Sequence, residues 1–184
     1  MLFSYTLWLT PLWSSLAGFG LVGVVLWAVF KYCVTGSNSF LLHNTGGLPT
    51  IAAVAAWRYS SLYPRLFLAV LPVLSTITFI SHVGLTSDAW FSVYWMLMPL
   101  LLLLSPAARA HVITRSIIAS LTAHMTGALI VCLFGASVKW SLLVPLVPFE
   151  RLVSIVGMLV VSMVLNRLHT WARRRIALQT ISQC

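Results

Sequence analysis

Six apolar runs, each about as long as a bilayer crossing, partition this chain almost from end to end. A hydrocarbon core takes about 20 mostly apolar residues per helix, with a range of about 17 to 25. Runs bounded by charge, proline or glycine fall within residues 7–34, 40–57, 65–83, 89–105 and 112–134, and a last one starts between residues 141 and 149 and ends at 165. In lipid every backbone polar group must be satisfied within its own segment or a closed barrel. The expected fold is therefore an all-α integral membrane protein, a six-transmembrane-helix bundle over residues 1–166 with a basic tail over 167–184. Composition agrees: 60% of residues are hydrophobic and 7% charged, against about 45–50% and about a quarter in soluble domains. Too few charged groups exist to solvate a compact particle, so the bilayer is the first expected partner. Pro72 and Pro99, inside the third and fourth runs, predict kinks there.

The basic residues sort by side. Arg58 and Arg65 lie between the second and third runs, Arg109 and Arg115 between the fourth and fifth, and Arg167, Arg173, Arg174 and Arg175 in the tail. Only Lys31, Lys139 and Arg151 fall on or toward the opposite side, together with Asp88. By the positive-inside rule both termini are cytoplasmic. An odd number of helices would separate the tail from the other arginines, so the charge pattern favours six. The net charge of +9 thus reads as a topology signal. With no basic domain outside the bilayer, no nucleic-acid partner is expected. The tail, NRLHTWARRRI, reads as an interfacial anchor drawn to anionic lipid or as a helix for a cytoplasmic partner. The N-terminus has no positive region ahead of its apolar stretch, so the first helix is expected to be retained rather than cleaved. Cys33, Cys132 and Cys184 are too scattered for a disulfide framework or a metal motif and read as small apolar fillers. Trp13, Trp57, Trp90, Trp95, Trp140 and Trp171 mostly fall near run ends, as an aromatic belt should.

Polar chemistry enters this frame at three places. In the second run, removing His43-Asn44-Thr45-Gly46-Gly47 leaves about ten residues from Leu48 to Trp57, too few to span. HNTGG is then either a broken helix at membrane depth or an outer loop folded back. Its His43 and Asn44 either face a ligand, as broken helices do in transporters, or cap the helix. In the fifth run His124 lies near the midplane, with Ser120, Gly127 and Val131 on its face and Thr122 and Thr126 on another. It is either a packing residue beside a small-residue stripe or a contact for a ligand or proton. The sixth run carries Glu150 and Arg151. A start at Ser141 would sink Glu150 about 13 Å and let it pair with His124. A start at Pro148 would make it a first-turn residue near the outer interface, where a negative charge suits the helix dipole. Glu150, Ser154 and Gly157 share a face, with Arg151 about 100° away. Trp90, Tyr94 and Trp95 open the fourth run and can stack on a planar ligand. The candidate ligand-binding residues are His43, Asn44, Trp95, His124, Glu150 and Arg151.

Enzyme constellations are largely excluded. Only Asp88 and Glu150 supply carboxylates, so a paired-carboxylate site would have to be built from those two alone, and a carboxylate-rich metal site is excluded. Ser120 and His124 on one helix face, without a Gly-x-Ser-x-Gly turn, make no convincing hydrolase pair. A b-type haem protein using His43, His82 or His124 as axial ligands is an alternative class, and a structural or assembly membrane protein without ligand is another.

Six helices, both termini inside, an irregular outer segment after the first helix and the stretch VPLVPFERLVSIVG resemble the substrate-binding S-component of energy-coupling-factor vitamin transporters. In the biotin and riboflavin members a Pro-Phe turn precedes an acidic or amide residue and a basic one. Pro148, Phe149, Glu150 and Arg151 are similar in character. The resemblance implies a bacterial or archaeal plasma-membrane subunit that binds a small nutrient without cofactor or catalysis. It also implies an outer pocket touching Asn44, His124 and Glu150. Transport would be powered through a transmembrane coupling subunit and separate ATPase subunits, and no phosphate-binding Gly-rich Lys-Ser/Thr loop occurs in this chain. One departure concerns docking: where the family often has two alanines four apart on the first helix, this chain has Ser14 and Gly18, with Ala52 and Ala56 on the second.

Overall fold

The computed structural model describes residues 48–134 and 139–181. The first apolar run, His43 and Asn44 lie outside the described residues. The described part is built from helices and turns without a strand, and three of its helices, Leu66–Val83, Val112–Leu133 and the stretch Trp140–Arg173, are long and apolar enough to cross a membrane. This is the pattern of an all-helical membrane protein.

Helix α1 is described over Leu48–Tyr59, 12 residues or about 18 Å of helix. Helix α2 (Leu66–Val83) opens with a π turn over Leu66–Val70, in which the Leu71 N–H bonds the Leu66 carbonyl five residues back. Pro72 follows at once. A proline ring collides with the carbonyl four residues earlier in an α-helix, and one widened turn moves that carbonyl away. The π turn lies immediately ahead of Pro72, where the sequence predicts a kink. Gly84 ends the helix at φ +74°, where a Cβ would be strained, and its N–H caps the Ile80 carbonyl at 2.8 Å.

Helix α3 (Ser87–Leu103) is wound as a 3₁₀ helix over all 17 residues. Such runs are uncommon beyond 3–4 residues, and burial explains this one. Ser92, Trp95 and Met98 are buried, whereas Trp90, Val93, Met96, Leu100 and Leu103 are exposed. A repeat near three keeps one ridge against the bundle and another toward lipid. At about 2.0 Å per residue the 17 residues reach about 34 Å, where an α-helix would reach about 26 Å. Pro99, for which the sequence predicts a kink, lies inside this segment. Its first turn is capped by Thr86, whose hydroxyl accepts from Asp88 N–H at 3.3 Å. At the far end Arg109 donates to the Leu102 and Leu104 carbonyls at 3.0 and 2.7 Å, satisfying groups that the helix leaves free.

A short α4 (Pro106–Ala110), capped by Ser105, leads into α5 (Val112–Phe134). Buried residues make up 61% of the apolar window of α5, against 22% for α2, so α5 is the axle of the described bundle. Ala119 and Ala123 meet Ala53 and Trp57 of α1 and Met158 of the last helix. Ile118 and Leu121 meet Ala56, Leu68 and Met98. Alanines at this spacing let helices approach closely. Two 3₁₀ turns, Trp140–Leu142 and Val144–Leu146, precede α6 (Val147–Ile181). Its 35 residues extend about 52 Å, so the helix continues unbroken past Arg167 into the basic tail. Leu74 and Ile77 on α2, Leu97 and Leu100 on α3 and Val156 and Val160 on α6 are exposed, an apolar exterior suited to acyl chains.

Candidate functional site

His124 is buried midway along α5. Its Nδ1 accepts a hydrogen bond from the Trp95 indole N–H at 3.0 Å. An indole can only donate, so Nδ1 carries no proton and the neutral ring holds its proton on Nε2. Trp95 is wholly buried. Around it, Phe79 stands edge-on at 5.2 Å between ring centroids, and Phe91 lies 4.8 Å from both the Trp140 and the His124 rings. Tyr94 donates to the Val144 carbonyl at 2.9 Å, tying α3 to the turns before α6. Trp90 is exposed. The expected stacking surface of Trp90, Tyr94 and Trp95 is therefore divided: Trp95 faces His124, Tyr94 braces a turn and Trp90 faces outward. The aromatic-belt reading also needs correction for Trp57, Trp95 and Trp140. All three are buried, because α5 supplies core for them to pack against, while Trp90 and Trp171 are exposed.

The last helix resolves the two expected placements of Glu150 into a third arrangement. Glu150 does lie in the first turn of α6. The two 3₁₀ turns ahead of it nevertheless bring the chain against the middle of α5. There the Arg151 Nη1 donates to the Ser120 carbonyl at 3.1 Å, about 12 Å along α5 from its start. Arg151 is the inward residue, with 7% of its side chain exposed against 24% for Glu150. The buried stripe of α6 runs Val147, Arg151, Ser154, Met158 and Ser162. The Glu150 carboxylate accepts from the Arg151 Nη2, so Glu150 pairs with Arg151 and the expected Glu150–His124 pair is replaced by Trp95–His124. Ser154 donates its hydroxyl back to the Glu150 carbonyl at 2.9 Å.

Two atoms in this cluster stand without partners. The Arg151 Nε and the Ser120 Oγ are buried and make no hydrogen bond. Each unmet buried group costs about 1–3 kcal/mol. Both can donate, so each suits an oxygen acceptor, whether of a ligand or of a water. Because Glu150 already balances the Arg151 charge, the acceptor need not be an anion. Ser120 and His124 share a face four residues apart, which sequence spacing shows. Phe79, Phe91 and Trp140 carry no such signal. The described residues contain no group of three or more His, Cys, Asp or Glu that could hold a metal ion. His82 is on the exposed last turn of α2, and His43 is outside the described residues.

Asp88 and Arg115 lie toward opposite ends of the bundle. Asp88 accepts from the Ser141 N–H at 2.7 Å, joining the start of α3 to the approach of α6. At the other end Arg115 of α5 donates its Nε–H to the Trp57 carbonyl of α1 at 2.7 Å. Comparison with family models, curated proteins and solved structures gives no match.

Proposed function

We propose that this protein is a membrane-embedded binding subunit for a small, nutrient-like molecule, acting within an uptake transporter. In this reading the bundle has six spans with both termini cytoplasmic. The site lies between α3, α5 and α6, and Arg151, Ser120 and His124 face the ligand. A transmembrane coupling subunit and ATPase subunits would supply the energy, as the resemblance to vitamin-transporter S-components suggests. His43 and Asn44 would complete the outer rim.

The observation that carries the reading is the unpartnered pair, Arg151 Nε and Ser120 Oγ, beside a charge-balanced Glu150. Buried polar groups are nearly always satisfied, and intramembrane ionisable residues are functional candidates by default. A chain under selection for packing alone is better served by alanine at position 120. The ligand expected is a neutral or zwitterionic molecule presenting an oxygen acceptor.

Native mass spectrometry of gently solubilised protein from nutrient-rich extract tests this, comparing wild type with Ser120→Ala. The expected result is a retained non-lipid mass in wild type that the folded variant loses. A folded wild type without such a mass, and with stability unchanged or raised in the variant, would instead favour a structural membrane protein.

A further inference from the structure

We propose that the molecule bound between α5 and α6 is a zwitterionic amino acid, its carboxylate held by Arg151 and Ser120 and its ammonium by Glu150. This rests on the binding-subunit reading above and names the class of ligand. On the inner side of the cluster the open polar atoms can all donate. Arg151 Nη1 and Nη2 are taken by the Ser120 carbonyl and by Glu150, whereas Arg151 Nε and Ser120 Oγ are buried without a partner. One turn beyond Ser120, His124 accepts from Trp95 at Nδ1, and its Nε2–H makes no hydrogen bond among the described residues. Guanidinium and imidazole N–H groups only donate, and a serine hydroxyl can donate with them. The group that meets them is an acceptor, and a carboxylate accepts at two oxygens and matches the planar edge of arginine.

Exposure places the opposite pole. Glu150 has 24% of its side chain exposed against 7% for Arg151, so it is the outer member of the pair. Its Oε1 takes Arg151 Nη2, and its Oε2 makes no hydrogen bond among the described residues. An ionised carboxylate only accepts, which suits an ammonium. Charge balance excludes simpler ligands. Arg151 and Glu150 neutralise each other, so a bare carboxylate would add an uncompensated negative charge and a bare amine a positive one, and unbalanced charge inside a bundle is costly. A zwitterion keeps the sum at zero. Its length follows from the pair itself. One carbon separates Arg151 Nε from Nη2 and one separates Glu150 Oε2 from Oε1, while Nη2 and Oε1 are joined. The open donor and the open acceptor are therefore near neighbours, and a ligand that meets both carries its charges close together, as an α-amino acid does.

The full-length protein in detergent is screened against each standard α-amino acid by thermal stabilisation, and the strongest binder is measured by calorimetry. It is compared with its primary amide, which lacks the carboxylate, and with its deaminated acid, which lacks the ammonium. Each analogue should bind at least about tenfold more weakly, the loss of one charge-assisted hydrogen bond. Both comparisons use the unaltered protein, so folding of a variant does not enter. Glu150→Gln should weaken the amino acid by about tenfold yet strengthen the deaminated acid, because the site then carries a net positive charge, a reversal that loss of structure would not produce. No response to any amino acid, or equal affinity for the amino acid and either analogue, would overturn the proposal. A retained non-lipid mass in the native spectra that no amino acid displaces would overturn it while leaving the binding-subunit reading in place, and a folded protein that retains no mass and responds to no amino acid would remove both.

Discussion

Arg151 and Trp95 are the residues on which the interior of this protein turns. A buried arginine is tolerable when its charge is balanced and its donors are used, and here Glu150 and the Ser120 carbonyl do most of that. Removing one partner strands the other. Arg151→Met should therefore lower stability by about 3–5 kcal/mol, and the double variant Glu150→Gln with Arg151→Met should recover much of the loss. Thermal unfolding in detergent across the four-protein cycle reads this coupling, and additive effects would contradict it. Trp95→Phe keeps the aromatic contacts but leaves the His124 Nδ1 without its donor. A drop of about 1–3 kcal/mol is expected by the same measurement. Both residues were already visible as candidates in sequence. What was not legible is which of Glu150 and Arg151 turns inward, because helix periodicity defines relative faces and not the direction of the core.

At the scale of elements, α2 was readable almost to the residue and α5 at its start: the run 65–83 became Leu66–Val83, and the run expected from 112 begins α5 at Val112. Hydrophobic length and flanking arginines are local properties. The winding of α3 is different. Its apolar run 89–105 was evident, but a 3₁₀ pitch follows from packing Ser92, Trp95 and Met98 in one ridge. Spin labels placed singly along residues 87–103 should show lipid exposure rising every three residues, through Trp90, Val93 and Met96. A repeat of 3.6 would mean that α3 is an ordinary α-helix. The last helix also exceeded its expected end at residue 165, continuing to Ile181, because loss of hydropathy ends a span and not a helix.

For the molecule as a whole, the two ends of the bundle are chemically distinct. Asp88 and Ser141 meet at one, and Trp57, Arg58 and Arg115 meet at the other. Substituted cysteines in a chain cleared of its own thiols should report this. Tyr63→Cys and Ala107→Cys should react with a membrane-impermeant thiol reagent from one side, and Leu85→Cys from the opposite side. In the six-span arrangement the first pair is cytoplasmic. Labelling of all three from the same side would refute that arrangement.

The sequence by itself determined the environment, the placement of the apolar runs and the residues able to do polar chemistry. Transfer to lipid is close to a sum over one segment, and a sum of that kind can be taken from a string of residues. Only the tertiary structure decided that Arg151 rather than Glu150 meets α5, that Trp95 serves His124, and that Trp140 belongs to the core. Each of those depends on a contact between segments distant in the chain: 29 positions separate Trp95 from His124 and 31 separate Ser120 from Arg151. A buried polar group takes whichever partner the neighbouring helix presents, and that choice exists only once the helices are packed.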